Sequence, residues 1–448
     1  MSCALLIVAA VAVAAAGDLN LTPGPWPMFR GVNGVGVGPD PLPADLIRPE
    51  NLRWSVEVPG RGWGSPVVAE GPDGGLSVYL PTADEDGATQ SVLAYDLRTG
   101  RVRWNRLLFV NENPDFTHPT NTYASCTPVA TKDVVFVHFG KYGTAALDAR
   151  NGHTLWERRD FECDHFRGPA SSPLLVQLDG LSPRLIVPFD GVGEDDQYVV
   201  ALDAATGETL WRYERDPSID EEVPDLRKAY GTPALLNVGG ETVVVTTGSR
   251  ATVGLDPATG ERVWRVVHGG MNTGSVPQGL PQPILDLGDA VVVTTGDGPS
   301  SVVRFAAKLR QTDVRTTDAA AEPQVDWSSN RAAPKRTTPL ALDPAHLFTV
   351  DDEGVAALLS AEGGEVLDRV RLGDSYWASP VRAGGTIFTF GKEGTAAALT
   401  ATENGELVVA DTQTLDEGVW ATPALVGGGL VLRTEHTLRF YHPKGTNE

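Results

Sequence analysis

The 448-residue chain is poor in cysteine, in methionine and in positive charge. Its three cysteines, Cys3, Cys126 and Cys163, stand far apart, so no disulfide framework holds the fold together. Lys and Arg number 36 against 58 Asp and Glu, a net charge of −22. That sign is repelled by phosphate backbones and anionic lipid, so nucleic acid is not an expected partner. Neither HExxH, nor a Ser-His-Asp order, nor a Gly-rich phosphate loop between a strand and a helix is present. The glycines of GVNGVGVG (31–38) and GDGPSS (296–301) read as turns, and His118, His138, His153, His268 and His436 have no partner spacing. Long apolar runs are also missing, with one exception.

The exception is the first sixteen residues, MSCALLIVAAVAVAAA. They read as the apolar core and cleavage zone of a secretory signal peptide over residues 1–17, short for a membrane span. No Lys or Arg precedes Arg30, which leaves an uncleaved anchor as the other reading, and Cys3 comes too early for a lipoprotein cysteine. On the first reading residues 18–448 form one exported domain with a short N-terminal extension and no membrane span. Its expected location is the periplasm or cell envelope, or the exterior.

What the chain has in abundance is one phrase. AYDLRTGRVRW, ALDARNGHTLW, ALDAATGETLW and GLDPATGERVW each read small-x-Asp-x-x-x-Gly-x-x-x-Trp. The copies carry Asp96, Gly100 and Trp104; Asp148, Gly152 and Trp156; Asp203, Gly207 and Trp211; and Asp256, Gly260 and Trp264. The carboxylate is suited to accept backbone N–H bonds in a turn, the glycine to a positive φ, and the indole to packing against a neighbouring unit. These twelve residues are therefore expected to be structural. Two later units are worn: ALLSAEGGEVL (357–367) aligns Leu359 and Leu367 with the Asp and Trp, and AALTATENGELVV (397–409) is looser.

A second phrase, Ser/Thr-Pro before an apolar run, begins at Ser65, Thr127, Ser172, Thr232, Thr338, Ser379 and Thr422, with QPILD at Gln282 a weaker eighth. The repeated tryptophans lie 52, 55 and 53 residues apart, room for about four short strands each. The last unit has chain for only three, and ENLRWSVEVPG around Trp54 supplies a spare strand upstream. The expected fold is all-β: an eight-bladed β-propeller of four-stranded antiparallel blades, its N-terminal strand completing the last blade, with seven blades the alternative.

The eleven-residue phrase resembles the repeat of the pyrroloquinoline quinone (PQQ) propeller superfamily, whose members include quinoprotein alcohol dehydrogenases and BamB-type outer-membrane assembly lipoproteins. WPMFRGVNGVGV (26–37) and CDHFRGPASSPLL (163–175) are similar to secreted, BamB-like members of it. The enzymes of the superfamily imply PQQ, Ca²⁺, a catalytic Asp and an adjacent cysteine pair. No two cysteines are adjacent here and no CxxCH is present; GEDDQY (193–198) supplies carboxylates of the kind Ca²⁺ uses, in a chain rich in solvated acids. The resemblance therefore implies a non-catalytic, BamB-like binding or assembly scaffold for a protein or peptide, with no resident cofactor. The alternative is a PQQ/Ca²⁺-dependent dehydrogenase or another small-molecule binder using the axial funnel.

Aligning the Ser/Thr-Pro strands places Trp63, Tyr230, Trp377 and Trp420 three residues before the proline. Arg61, Asn121, Tyr123, His165, Arg167, Lys228, Arg331 and Tyr376 interleave with them, and together they predict a ligand or partner face around the axis, or else packing between blades. Cys126, Cys163 and His165 leave three readings open: a metal site, a disulfide, or inert buried thiols.

Overall fold

Each β-branched run becomes a strand buried on both faces. The computed structural model describes residues 25–71, 73–193, 195–215, 227–238, 241–268, 278–279, 290–296, 301–306 and 325–444. Among them lie eight four-stranded sheets of consecutive antiparallel strands. Val134–His138, Arg184–Asp190 and Thr386–Phe390 are buried at every residue, because neighbouring blades cover both sides of a middle strand. Outermost strands such as Thr154–Arg158 and Val366–Arg371 instead alternate, one face against a neighbour and one in water.

Seven blades are continuous in sequence, spanning 67–110, 129–158, 174–214, 234–267, 278–329, 340–371 and 381–414. The eighth combines 424–441 with the strand Leu52–Glu57, which pairs with Thr437–Tyr441 so that Trp54 lies opposite Phe440. This is the eight-bladed architecture expected from the sequence, and the seven-bladed alternative falls. One element differs. The innermost strand of the fifth blade is Gln278–Gly279, after Pro277, rather than the QPILD segment, which lies outside the described residues, as do residues 1–24 and the expected cleavage site.

The repeated phrase joins one blade to the next. In the first blade Asp96 Oδ1 accepts the Thr99 N–H at 2.9 Å, and Gly100, at φ 69°, donates to the Asp96 carbonyl at 2.8 Å. Asp148, Asp203 and Asp256 hold the same turn, with Gly152, Gly207 and Gly260 at φ 71°, 76° and 74°. The indole Nε1 of Trp54 donates to Leu97 O of the following blade at 2.8 Å, Trp104 to Ala149 O at 3.0 Å, Trp156 to Ala204 O at 3.0 Å and Trp211 to Pro257 O at 3.1 Å. Trp327 reaches Ala361 O at 3.3 Å, and Trp264 packs edge-on against Phe305 of the fifth blade, 5.6 Å between centroids. In the worn sixth-blade unit the register moves by one residue. Gly364, not Gly363, takes φ 74° against Trp327, and Ser360 rather than Leu359 stands where the other units have Asp.

The extension over 25–48 crosses the inner strands. Trp26 exchanges backbone bonds with Val68 in the first blade, Ala130 of the second donates to Pro27 O at 2.7 Å, and Gly38 donates to Arg382 O of the seventh at 2.7 Å. The Arg30 guanidinium, wholly buried, donates to the carbonyls of Thr338 and Pro339 in the sixth blade and of Gly34 and Val35 in its own turn.

Candidate functional site

The innermost strands start at the Ser/Thr-Pro phrases, and the hydroxyls there bind one blade to the next. The Ser65 N–H donates to Thr127 Oγ1 at 3.0 Å, Thr127 N–H to Ser172 Oγ at 2.8 Å, and Ser172 N–H to Thr232 Oγ1 at 3.0 Å. On the other side, Thr338 N–H donates to Ser379 Oγ at 3.0 Å and Ser379 N–H to Thr422 Oγ1 at 2.9 Å. Proline at the next position has no N–H of its own to satisfy, so the hydroxyl amino acid before it carries the relay. All these serines and threonines are buried. The sequence marks these positions by composition but does not disclose the relay, because a hydroxyl's partner lies some forty to sixty residues away.

Above this ring opens a cavity of about 160 Å³. Its wall is the set of residues three before each proline: Trp63, Ser125, Ala170, Tyr230, Arg336, Trp377 and Trp420. Asn121, Thr120 and Arg167 complete the rim, and Phe29 of the N-terminal extension enters it. Trp63 and Trp420 stack at 4.8 Å with planes 5° apart, and Trp377 meets Trp420 edge-on at 5.0 Å. Cations cover the remaining aromatic faces: Arg61 over Trp63 at 5.0 Å, Arg336 over Trp377 at 4.9 Å, and Lys392 over Trp377 and Trp420 at 5.0 and 4.7 Å. The Trp420 indole donates to Glu435 Oε1 at 3.1 Å.

Of the twelve residues that the sequence nominates, the cavity brings together six: Trp63, Asn121, Arg167, Tyr230, Trp377 and Trp420. Six stand elsewhere. Tyr376 is fully buried, because successive residues of an extended segment point opposite ways and Trp377 takes the axial side. Tyr123 is buried against Tyr142 and donates to Asp115 O at 2.6 Å. Arg331, just beyond the outer strand Val325–Ser329, stays at the periphery in a surface depression with Ser328, Gly364 and Asp368. Arg61 backs Trp63 from outside the cavity, its backbone paired with Ala83. His165 lies behind the rim, and its carbonyl accepts the Tyr230 hydroxyl at 3.3 Å. Lys228 is buried with its ammonium 4.8 Å over the Phe166 ring. Sequence reasoning missed Arg336 and Phe29; the three-before-proline rule applied to Pro339 finds the first, and nothing in the sequence carries a crossing segment to the axis.

Cys126 and Cys163 are buried and unpaired. Burial pushes both thiols up, with the carboxylates of Asp196, Asp190 and Asp164 adding to the effect at Cys163. His165 Nε2 accepts the Lys141 N–H at 3.2 Å, so the ring hydrogen sits on Nδ1, 3.5 Å from Cys163 Sγ. The imidazole thus donates toward the sulfur, the reverse of what activates a nucleophile. Among the described residues no cluster of three or more His, Cys, Asp or Glu is poised for a metal. Within GEDDQY, Asp196 accepts the backbone N–H groups of Asp164 and Gly193 at 2.7 and 3.0 Å, a loop-fixing role.

The sequence profile of the family described as "Outer membrane protein assembly factor BamB" matches residues 48–177 and 195–434. No curated protein matches the chain. Among solved structures, BamB from Moraxella catarrhalis is 18% identical over 76% of this chain and 96% of its own, with a TM-score of 0.48. Quinohemoprotein alcohol dehydrogenase from Comamonas testosteroni is 16% identical over 98% and 85%, with a TM-score of 0.55. A europium-containing methanol dehydrogenase is 14% identical over 92% and 89%, with a TM-score of 0.61. At these identities the likeness to the two dehydrogenases is one of fold, and one propeller hosts many activities.

Proposed function

Because the chain belongs to the outer membrane protein assembly factor BamB family, we propose that it is an exported, non-catalytic propeller of the bacterial cell envelope that holds a protein partner at its axial mouth. On this reading residues 1–17 are a cleaved signal peptide, 18–448 act as one domain, and the Asp–Gly–Trp contacts are the docking joints of the superfamily. The supporting observation is the wall of Trp63, Trp377 and Trp420 at the mouth of the cavity. Aromatic side chains that are half-exposed, rigid and flanked by arginine are what protein-binding surfaces concentrate.

The PQQ and Ca²⁺ alternative finds poor support in the described residues. No carboxylate lines the cavity, whereas Ca²⁺ requires six to eight convergent oxygens. The cavity of about 160 Å³ also falls short of the roughly 300–1,000 Å³ usual for a cofactor-sized ligand. We therefore route no reaction through that cofactor.

The test is a photo-crosslinking amino acid in place of Trp377 in the cell of origin, with one in place of Arg331 as the peripheral control. A discrete crosslinked protein from the first position alone is expected, together with a mature N-terminus at Asp18. Crosslinks of equal yield from both positions would remove the axial mouth from the assignment.

A further inference from the structure

We propose that the axial mouth receives carboxylate side chains from an acidic, extended segment of the partner; this rests on the protein-binding reading above and specifies its chemistry. The charge distribution carries it. The whole chain has a net charge of −22, yet among the described residues the charged side chains lining the cavity are Arg167 and Arg336. Arg61 and Lys392 add two more cations around the same wall. Carboxylates stand behind it as well: Glu85, which faces Arg61 at 3.9 Å, Glu435, which accepts the Trp420 indole N–H, and Asp352, in the field of Arg336 and Lys392; none of the three lines the cavity.

An acidic segment approaching this protein meets a chain of net negative charge and, at the mouth, a wall lined by arginine. Long-range charge thus selects the docking position before any contact forms. The cations are also held ready. Arg61, Arg336 and Lys392 each lie 4.7–5.0 Å over an indole, so little side-chain freedom remains to be lost when a carboxylate arrives. The buried Nε1 of Trp63 has no acceptor among the described residues and is a further donor in that wall.

Size sets the form of the occupant. Phe29 and the Arg30 turn fill the axis below, which leaves a shallow cavity of about 160 Å³. One or two side chains of an extended segment fit there; a helix does not.

The experiment is fluorescence anisotropy with a fluorescein-labelled hexaglutamate peptide, a hexaglutamine peptide of the same length, and full-length mature protein. The glutamate peptide is expected to bind at least tenfold more tightly at low salt, and to weaken at least tenfold between about 20 and 300 mM NaCl as the charges are screened. The double substitution Arg167→Gln with Arg336→Gln should weaken it a further tenfold, with an unchanged thermal midpoint, whereas Arg106→Gln on an outer strand should not. Equal binding of the two peptides to unaltered protein would overturn the proposal without any variant. So would an affinity indifferent to the double substitution. Binding of PQQ by the protein, with no measurable binding of either peptide, would assign the mouth to a small carboxylate ligand and overturn it too. A Trp377 crosslink to a partner, obtained alongside equal peptide affinities, would leave the protein-binding reading standing and remove only its acidic specificity.

Discussion

Trp104 in the first blade and Gly152 in the second are built for each other. A Cβ on Gly152 would sit 2.7 Å from the indole, and the same indole donates to Ala149 O at 3.0 Å, three residues before that glycine. One aromatic ring therefore fills the space left by a missing side chain and closes the hydrogen bonding of the adjacent turn.

The first prediction follows from that pair. Gly152→Ala adds a methyl group where φ is 71° and where Trp104 leaves no room, so both backbone and ring must shift. Trp104→Ala removes a buried indole, at a cost of roughly 3–5 kcal/mol. In urea unfolding both substitutions should lower the midpoint, and the double variant Gly152→Ala with Trp104→Ala should lose less than the sum of the two. Strict additivity would mean that the residues do not share a contact.

The hydroxyl relay gives the second. Thr127→Val keeps the shape but removes the acceptor for the Ser65 N–H, a group buried at the axis. Leaving such a donor unpaired costs about 1–3 kcal/mol. Thr127→Ser keeps the hydroxyl and should restore most of that stability. A larger loss for Ser than for Val would identify packing of the methyl group, not the relay, as the source.

The blade count was legible because its signals are local: a turn needs its Asp and Gly within a few residues, and period and strand number follow. The joint between Trp54 and Phe440 was legible from arithmetic, one strand short at the end and one spare at the start. The funnel was legible only where position relative to proline fixes direction, which recovers Trp63, Tyr230, Trp377 and Trp420 but admits Tyr376, one residue out of phase. The crossing segment and the relay were not legible. Both depend on contacts between distant residues, Arg30 with Thr338 or Ser65 with Thr127, that no local pattern encodes.

Acid should open the second and third blades first. Burial, with the charge of His165 second, pushes His138 down to about 3, and burial pushes His165 down to about 4 from an ordinary 6.5. His138 faces Thr144, Phe189 and His165; His165 faces Cys163, Lys141, Asp196, Asp164 and Asp115. Between pH 6.5 and 4 the unfolded chain binds more protons at these two positions than the folded one. Stability thus falls as pH falls, by up to about 1.4 kcal/mol per unit for each histidine. Thermal melts from pH 7 to 4.5 should show this slope, and His138→Gln, which keeps a polar group beside Thr144, should reduce it. An unchanged slope in that variant would assign the acid sensitivity to other groups.

Arg30 poses the sharpest test of the crossing segment. Its guanidinium is wholly buried, and burial lowers its pKa to about 9, yet its donors reach four carbonyls, two of them in the sixth blade. Hydrogen bonds to a charged group are worth about 1.5–3 kcal/mol each, so Arg30→Ala should detach the segment from the sixth blade without unfolding the propeller, whose sheets do not include it. Lysine should not rescue it, because a single ammonium cannot reproduce a fork that spans Gly34 and Thr338. Limited proteolysis reads this directly: cleavage between Trp26 and Pro41 should be slow in the native protein and fast in both variants, while the blades remain intact. Equal cleavage rates would mean that Trp26 and its bonds to Val68 hold the segment without Arg30.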